Sequence, residues 1–254
     1  MPIKLDGFAG GDRTSIELPR VQQEMLEAVA ATGRPIIVVL LNGSAISATW
    51  AKEHAAALLE AWYPGEEGGT AIAATLAGDN DPAGRLPVTF YASTDQLPAF
   101  DNYSMKGRTY RYFDGTPLFS FGYGLSYSHF SYSHLSLSTS SLQAGASLTV
   151  DADVKNSGSL DGDEVAELYL IPPQMEGAPK LALEGFQRVH LHHGETRHVQ
   201  FILDARQLSL VDHEGIRAVR PGQYQLAIGG AQPTDDTDGA KAPFTISGTF
   251  AVPR

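Results

Sequence analysis

The chain has 254 residues, of which 43% are hydrophobic and 19% are charged, a balance typical of a folded globular protein and not of a disordered one. Its formal net charge of −11 argues against a nucleic acid or an anionic membrane as partner, and the absence of cysteine excludes disulfides, thiolate zinc sites and thiol nucleophiles. The length fits one large domain or two small ones.

No targeting segment is visible. The sequence has no run of 18 apolar residues, and its first residues lack the apolar core of an export signal, so we expect a cytoplasmic location. The first element that the sequence predicts is a helix that begins at Pro19 and ends before Gly33 and Pro35. Its apolar face is predicted to hold Val21, Met25, Ala28 and Val29.

Residues 36–41 predict a central parallel strand. All six are aliphatic, whereas a strand with one solvent-exposed face would alternate between apolar and polar residues. Burial of all six side chains would contribute roughly 9–18 kcal/mol, which requires helices on both faces of the sheet. We therefore expect this strand to be covered on both sides.

The following segments continue a parallel α/β pattern. A helix is predicted for residues 45–55, a strand for 58–62, a helix for 70–76 and a strand for 88–91. These make about three parallel strands, whereas a doubly wound domain has five or six. The sheet therefore resembles half of a domain, and its uncovered edge predicts self-association.

The second half of the chain has a different pattern. Residues 92–128 are irregular but contain too many aromatic rings for disorder, so this segment must pack against something. From residue 130 onward, about seven alternating strands separated by turns predict a β-sandwich. The predicted fold is thus α/β plus all-β, with domains at residues 1–128 and 129–254.

Several motifs together carry a family resemblance. Residues 62–69 (WYPGEEGG) and 78–90 (GDNDPAGRLPVTF), in this order and spacing, resemble the C-terminal α/β domain of glycoside hydrolase family 3. Three more segments extend the match: GDRTS at 11–15, YRYF at 110–113 and FGYGLSY at 121–127. The segments LEGFQRV (183–189) and PGQY (221–224) resemble the fibronectin type III-like domain that ends many members.

The resemblance implies a retaining, exo-acting β-glucosidase or β-xylosidase that uses no cofactor. In this family the nucleophile is an Asp on an N-terminal barrel, and the acid/base is a Glu shortly before a segment like Gly11-Asp12-Arg13. Asp6 is the one acid upstream of Gly11, and its side chain is shorter than that of Glu. We therefore expect no catalytic residue in this chain, no activity of the chain alone, and the missing barrel as its covalent or associated partner.

Five residues are candidates for substrate binding: Asp12, Arg13, Arg108, Tyr110 and Arg111. Arginine can bond sugar hydroxyls with its planar fork, and aromatic rings stack on sugar faces. Two alternatives stay open. Asp12 and Arg13 could form a structural ion pair, and the tyrosine-rich segment could fix the α/β region to the sandwich.

Other polar groups have simpler interpretations. Glu66 and Glu67 fit a helix N-terminus, residues 79–81 a polar turn, and residues 42–44 a strand-to-helix turn. The histidines at 190, 192, 193 and 198 suggest a metal site, but no acidic partner is evident, so solvated strand positions are favoured and no metal is expected. The alternative to a glycosidase is a non-catalytic carbohydrate-binding or domain-interaction module.

Overall fold

The computed structural model describes residues 15–233 and 239–253 of the chain. Four helices lie in the first part: α1 (Arg20–Ala30), α2 (Thr49–His54), α3 (Gly68–Ala77) and α4 (Thr109–Tyr112). Two strands accompany them: β1 (Ile37–Leu40) and β2 (Ala57–Glu60). None of the helices in these described ranges is long and apolar enough to cross a membrane.

The remaining strands follow the segment at residues 92–128. They are β3 (Phe130–Leu137), β4 (Ser141–Gln143), β5 (Leu148–Asn156), β6 (Gly162–Ile171), β7 (Ala182–Leu191), β8 (Thr196–Leu203), β9 (Leu210–Val211), β10 (Arg217–Val219), β11 (Gly222–Gly229), β12 (Ala240–Ser247) and β13 (Phe250–Ala251).

The α/β region is built on one parallel strand pair. β1 pairs with β2 in the register Ile37↔Ala57 to Leu40↔Glu60, and α2 lies between them in sequence. This is the crossover connection that parallel strands need. Its core contains Ile36, Val38 and Leu40, with Trp50 and Trp62 packed against them.

The prediction that residues 36–41 are covered on both faces is wrong for the described chain. Ile36, Val38 and Leu40 are buried, but Ile37 is 54% exposed and Leu41 57% exposed. Successive strand residues point to opposite faces, so the helices present cover one face and leave the other open to solvent. The residues on the open face are nevertheless aliphatic, as in a strand that is buried on both faces.

The predicted strand at residues 88–91 is also wrong. Phe90 forms a single antiparallel bridge to Phe119, and no further ladder develops. Hydrogen bonds to the same segment resume at Leu86, beyond Pro87, where the amide of Leu86 donates to the carbonyl of Tyr123 at 2.9 Å. Phe90 is nevertheless buried, with its ring edge-on to Trp62 at 5.9 Å, so the segment closes the α/β core without joining its sheet.

Two facing sheets form the sandwich. One has five strands in the order β4-β12-β11-β6-β7, and the other has three in the order β3-β5-β8. Alternating residues of β5 point inward and are fully buried, as are Leu168 and Leu226 from the opposing sheet. The core between the sheets is one continuous apolar cluster, and its inner faces end at the buried polar side chains of Asn156 on β5 and Glu164 on β6.

Candidate functional site

A cleft of about 640 Å³ opens where the α/β region meets the sandwich. Its walls come from α2, from the aromatic segment and from two loops of the sandwich. The lining residues are Lys52, Tyr110, Phe113, Gly115, Thr116, Pro117, Leu118, Phe119, Ser120, Tyr123, Gly124, Lys180, Leu181, Ala231 and Gln232. None of these is acidic, so the described residues that line the cleft offer no carboxylate for general acid–base chemistry.

Among the predicted substrate-binding residues that the structure describes, Tyr110 alone lines this cleft. Its ring stacks on Phe121 at 4.2 Å and meets Tyr169 of the sandwich edge-on at 6.2 Å. Its hydroxyl accepts a hydrogen bond from the amide of Leu183 on β7 at 3.1 Å. These contacts support the interpretation that Tyr110 joins the two regions, and they leave less of its ring for a sugar.

Arg108 lies outside the cleft lining and stabilises its own loop. The guanidinium donates to the carbonyl oxygens of Ser104 at 3.1 Å, Asn102 at 2.5 Å and Ala99 at 3.3 Å. Several of its five N–H donors are therefore already bonded to the backbone. In this arrangement Arg108 stabilises the loop of residues 99–108 by bonding to its backbone.

Arg111 lies beside the sandwich. Its carbonyl accepts from the amide of Lys180 at 2.7 Å. Burial raises the pKa of Glu184 to about 7, and the positive charges of Arg111 and Arg217 oppose that rise. Asp12 and Arg13, the other two predicted binding residues, lie outside the described residues.

Both lysines of the cleft are bonded to its own walls. Lys52 donates to the carbonyl of Leu118 at 2.7 Å and lies 4.8 Å from the centre of the Phe119 ring. Lys180 donates to the carbonyl of Phe113 at 3.1 Å and pairs with Asp114 at 2.7 Å. The cleft thus offers aromatic surface and two lysines that are already bonded to its walls.

A buried ion pair lies behind the cleft and connects the two regions. Arg85 reaches Glu164 of β6 at 2.6 Å, with side-chain exposures of 9% and 3%. The same guanidinium donates to the carbonyl of Gly230 at 2.7 Å, and Tyr132 donates its hydroxyl to Glu164 at 2.6 Å. Burial raises the pKa of Glu164, and the charge of Arg85 opposes that rise.

A second buried carboxylate lies next to this pair. Glu167 accepts a 2.6 Å hydrogen bond from the hydroxyl of Tyr169, and burial raises the pKa of Glu167 to about 7. Gly122 passes directly over it with φ of +78°, and a Cβ at this position would collide with the Glu167 carboxylate. The first glycine of the FGYG motif, Gly122, is therefore required for two reasons. Its φ is one that other residues rarely adopt, and a side chain has no room beside Glu167.

The sequence reasoning missed these two carboxylates. Arg85 and Glu164 lie 79 residues apart, and each alone looks like an ordinary polar residue. The available signal was the pair of acids at positions 164 and 167, which flank apolar residues in the strand, because buried strand charges need partners. Both carboxylates are enclosed, and their bonds to Arg85 and to Tyr169 indicate a structural role.

The predicted polar turn at residues 79–81 also ties the segments together. Asp81 accepts hydrogen bonds from the hydroxyl of Ser126 at 2.9 Å and from the amide of Tyr127 at 2.6 Å. The hydroxyl of Tyr127 donates to the carbonyl of Thr75 in α3 at 2.7 Å. The carboxylate of Asp81 thus anchors the end of the aromatic segment against the α/β region.

The carboxyl ends of β1 and β2 form a further polar edge. Glu60 accepts from the amide of Trp62 at 2.9 Å and from the side chain of Asn42 at 3.1 Å, and burial raises the pKa of Glu60. Trp62 has a φ of +53°, which is unusual for a bulky residue. In open parallel α/β sheets, ligands bind beyond the carboxyl ends of the strands. This polar edge therefore lies at the end of the sheet where a ligand is expected.

The strand histidines have acidic partners, contrary to the prediction. His190 contacts Asp163 at 2.6 Å, and His192 contacts Asp161 at 2.8 Å, in both cases through Nδ1. His198 lies between two further aspartates on β5. The partners are on the neighbouring strand, where spacing along one strand gives no indication of them.

Comparison with known proteins places these observations in a family. A sequence profile described as "Glycosyl hydrolase family 3 C-terminal domain" matches residues 4–127, and one described as "Fibronectin type III-like domain" matches residues 164–232. The chain belongs to glycoside hydrolase family 3. The recognition of the family from its motifs, and the predicted α/β plus β-sandwich fold, are thereby confirmed.

Similar proteins of this family are named as β-xylosidases and β-glucosidases. A xylan 1,4-β-xylosidase of Xylanibacter ruminicola is 44% identical over 90% of this chain and 26% of its own length. A periplasmic β-glucosidase of Salmonella typhimurium is 36% identical over 85% of this chain and 30% of its own length. A β-glucosidase structure from Erythrobacter marinus aligns with a TM-score of 0.81 at 35% identity, covering 94% of this chain and 32% of that one.

The family 3 chain therefore spans about a quarter to a third of the length of these relatives. The regions that it matches are the C-terminal domain and the fibronectin type III-like domain. The cleft without acids and the buried ion pair belong to this portion.

Proposed function

We propose that this chain is the C-terminal portion of a retaining, exo-acting β-glycosidase that hydrolyses terminal β-glucosidic or β-xylosidic bonds. The α/β region supplies one wall of the active site in the full-length enzyme, and the sandwich holds that wall in place. The chain alone is inactive. The observation that carries this proposal is the match of 85–90% of the chain to one part of relatives named as β-xylosidases and β-glucosidases.

The chemistry of the described residues supports the inactivity of the chain alone. A retaining glycosidase needs two carboxyl groups about 5–5.5 Å apart on either side of the scissile bond. The interregional cleft has no acid in its lining, and Glu164 and Glu167 are enclosed and bonded to Arg85 and to Tyr169. The described part of the chain thus offers binding surface without a pair of catalytic carboxylates facing it.

The open face of the α/β region supports a missing partner. Val21 and Met25 on α1 and Ile37 and Leu41 on or beside β1 are all more than half exposed. Exposed apolar patches mark sites of protein association. We propose that the N-terminal part of the enzyme covers this face in the full-length protein, and that copies of the isolated chain associate through it.

An activity assay tests the proposal. We expect purified chain to release no nitrophenol from nitrophenyl β-glucoside or β-xyloside, at any enzyme concentration, because the described residues place no pair of carboxylates on the cleft. A mock purification from the same host without the gene is the control for contaminating glycosidase. Turnover that exceeds the mock preparation and scales with chain concentration would refute the proposal.

Light scattering tests the open face. We expect the apparent mass of the chain to rise with concentration, because exposed apolar surface associates. A double variant, Met25→Glu and Ile37→Glu, should lower that association. A strict monomer at all concentrations would contradict this part of the proposal.

The second candidate function is carbohydrate binding without catalysis. Tyr103 in the aromatic segment is 90% exposed, so its ring is available to stack on a sugar. Titration calorimetry with xylo- and gluco-oligosaccharides tests this function, with Tyr103→Ala as the matched variant. Heat that saturates in the parent chain and is lost in the variant would favour the second candidate, and flat titrations would exclude it.

A further inference from the structure

We propose that His190, His192 and Asp161 form a binding site for a divalent transition-metal ion, with Zn²⁺ as the representative ion, on the outer face of the sandwich. Each of the three side chains offers one ligand atom, and these atoms all lie within 4.8 Å of one another. No other such group of three occurs among the described residues of the chain. The site is separate from the cleft and from the proposed glycosidase function.

The strand geometry brings the two imidazoles together. His190 and His192 are separated by Leu191, which is fully buried in the core. Residues two apart on a strand share a face, so both rings project to the outside. Their ring centres are 5.4 Å apart in an edge-on arrangement.

The neighbouring strand supplies the carboxylate. Gly162 pairs with Leu191 in the β6–β7 ladder, which places the preceding residue, Asp161, next to His192. One carboxylate oxygen contacts Nδ1 of His192 at 2.8 Å, and the other accepts from the amide of His193 at 2.7 Å. The backbone contact fixes the carboxylate beside the rings before any ion arrives.

Further residues orient the histidine ligand. Asp163 contacts Nδ1 of His190 at 2.6 Å and is held by Arg188 at 2.6 Å. A carboxylate on one ring nitrogen of a histidine raises the basicity of the other and sets the ring orientation. His190 would therefore bind an ion through Nε2, with Asp163 behind it.

The donor set selects the class of ion. Two imidazole nitrogens and one carboxylate oxygen with open positions suit Zn²⁺ and similar transition metals. Ca²⁺ and Mg²⁺ prefer oxygen ligands throughout, so they fit the site poorly. The net charge of −11 adds a general attraction for cations but does not choose among them.

Titration calorimetry of tag-free chain with ZnCl₂ at pH 7.5 tests the site. We expect saturable binding of one ion per chain, and binding at least about tenfold weaker in His190→Gln and in His192→Gln. Asp163→Asn should also weaken binding by about tenfold or more, because it orients the ligand ring without touching the ion. All of these side chains lie on the surface, and circular dichroism of each variant confirms that it is folded.

His198→Gln is the matched control. Like the proposed ligands, His198 is an exposed strand histidine in contact with aspartate, in its case with Asp151 and Asp153. It belongs to no group of three potential metal ligands among the described residues. We expect its zinc affinity to equal that of the parent chain. The proposal is overturned if no saturable binding of one ion occurs, if His190→Gln and His192→Gln bind as tightly as the parent, or if His198→Gln weakens binding as much as they do.

Discussion

The α/β region and the sandwich contain similar apolar residues but close their cores to different degrees. In the described chain, the sandwich buries a continuous set of side chains between two sheets, including Leu148, Leu168 and Leu203 with no exposed area. The core of the α/β region is smaller and is lined by partly exposed residues such as Leu26 and Trp62. The difference teaches that two facing sheets can complete a core by themselves, whereas one strand pair with helices on one face cannot.

Two spectroscopic signals separate the regions. Trp50 and Trp62 are the two tryptophans of the chain, and both pack in the α/β core. Tryptophan fluorescence therefore reports the α/β region, and circular dichroism in the far ultraviolet is dominated by the strands of the sandwich. We expect fluorescence to change at lower urea concentration than circular dichroism, since chains with two cores need not unfold in one step.

The largest expected effect comes from the ion pair that links the two regions. Arg85→Ala leaves Glu164 buried without a cation, which should lower the free energy of unfolding by about 3–5 kcal/mol. Because the pair crosses the junction, the fluorescence and circular dichroism transitions should both shift to lower urea.

The double variant Arg85→Ala/Glu164→Gln is the control for this effect. Neutralising the carboxylate should recover part of the lost stability, since the cost arises from the unpaired charge. A single Arg85→Ala variant as stable as the parent would show that the link does not stabilise the junction.

Matched core truncations compare the two regions directly. Leu168→Ala, in the fully buried sandwich core, should cost about 2–5 kcal/mol in the transition seen by circular dichroism. Leu40→Ala makes the same chemical change in the α/β region and should cost about 2 kcal/mol or less in the fluorescence transition, because its surroundings are partly open to solvent and can relax. Equal costs at the two positions would contradict the difference in closure.

The pH dependence of stability tests the carboxylate below Gly122. The pKa of Glu167 is about 7 in the folded chain, above the ordinary 4.5, so the folded state binds this proton more tightly than the unfolded state does. This contribution to stability is fully present below pH 4.5 and is lost as the pH rises through about 7, by an amount on the order of 3 kcal/mol.

Urea titrations at pH 5 and pH 8 measure this change. Glu167→Gln is neutral throughout and can still accept the bond from Tyr169, so its stability should fall less than that of the parent between the two pH values. The comparison with this variant is needed because the pKa of Glu184 is also raised to about 7 and contributes in the same direction. Identical pH profiles for parent and variant would show that Glu167 does not titrate in this range.

The smallest expected effect is at the open face. Met25→Ala removes a side chain that is 58% exposed and should change the free energy of unfolding of the isolated chain by about 0.5 kcal/mol or less. In a longer protein that covers this face, the same substitution should cost more. Equal, large costs in both forms would show that Met25 is already buried in the isolated chain.

The fold was predictable where a residue pattern reports its own surroundings. The alternation along β5 and β8 predicted sandwich strands, and the aliphatic residues 36–41 predicted a parallel strand. The same aliphatic residues wrongly predicted that helices cover both faces of the strand. Their apolar side chains suit a strand that is buried on both sides, whereas the described chain covers one side. Residues 88–91 looked like a strand locally, but among the described residues they form only the single bridge from Phe90 to Phe119.

The site was predictable only in part, because it depends on contacts between distant segments. Tyr110 was named from its motif as a binding candidate, and the structure places it in the lining of the cleft, while its binding role stays a prediction. The pairing of Arg85 with Glu164 and of His192 with Asp161 depends on sheet register and on the packing of two regions, neither of which a motif records.

The bond between Arg85 and Glu164 crosses the predicted domain boundary at residue 128. When the sandwich of one family member is grafted onto another, residues 84–87 (GRLP), which contain Arg85, should therefore be transferred together with the sandwich. A chimaera joined at residue 128 would take Arg85 from one parent and Glu164 with its surroundings from the other. Its success would depend on whether the two parents share this buried contact, more than on the sequence at the splice itself.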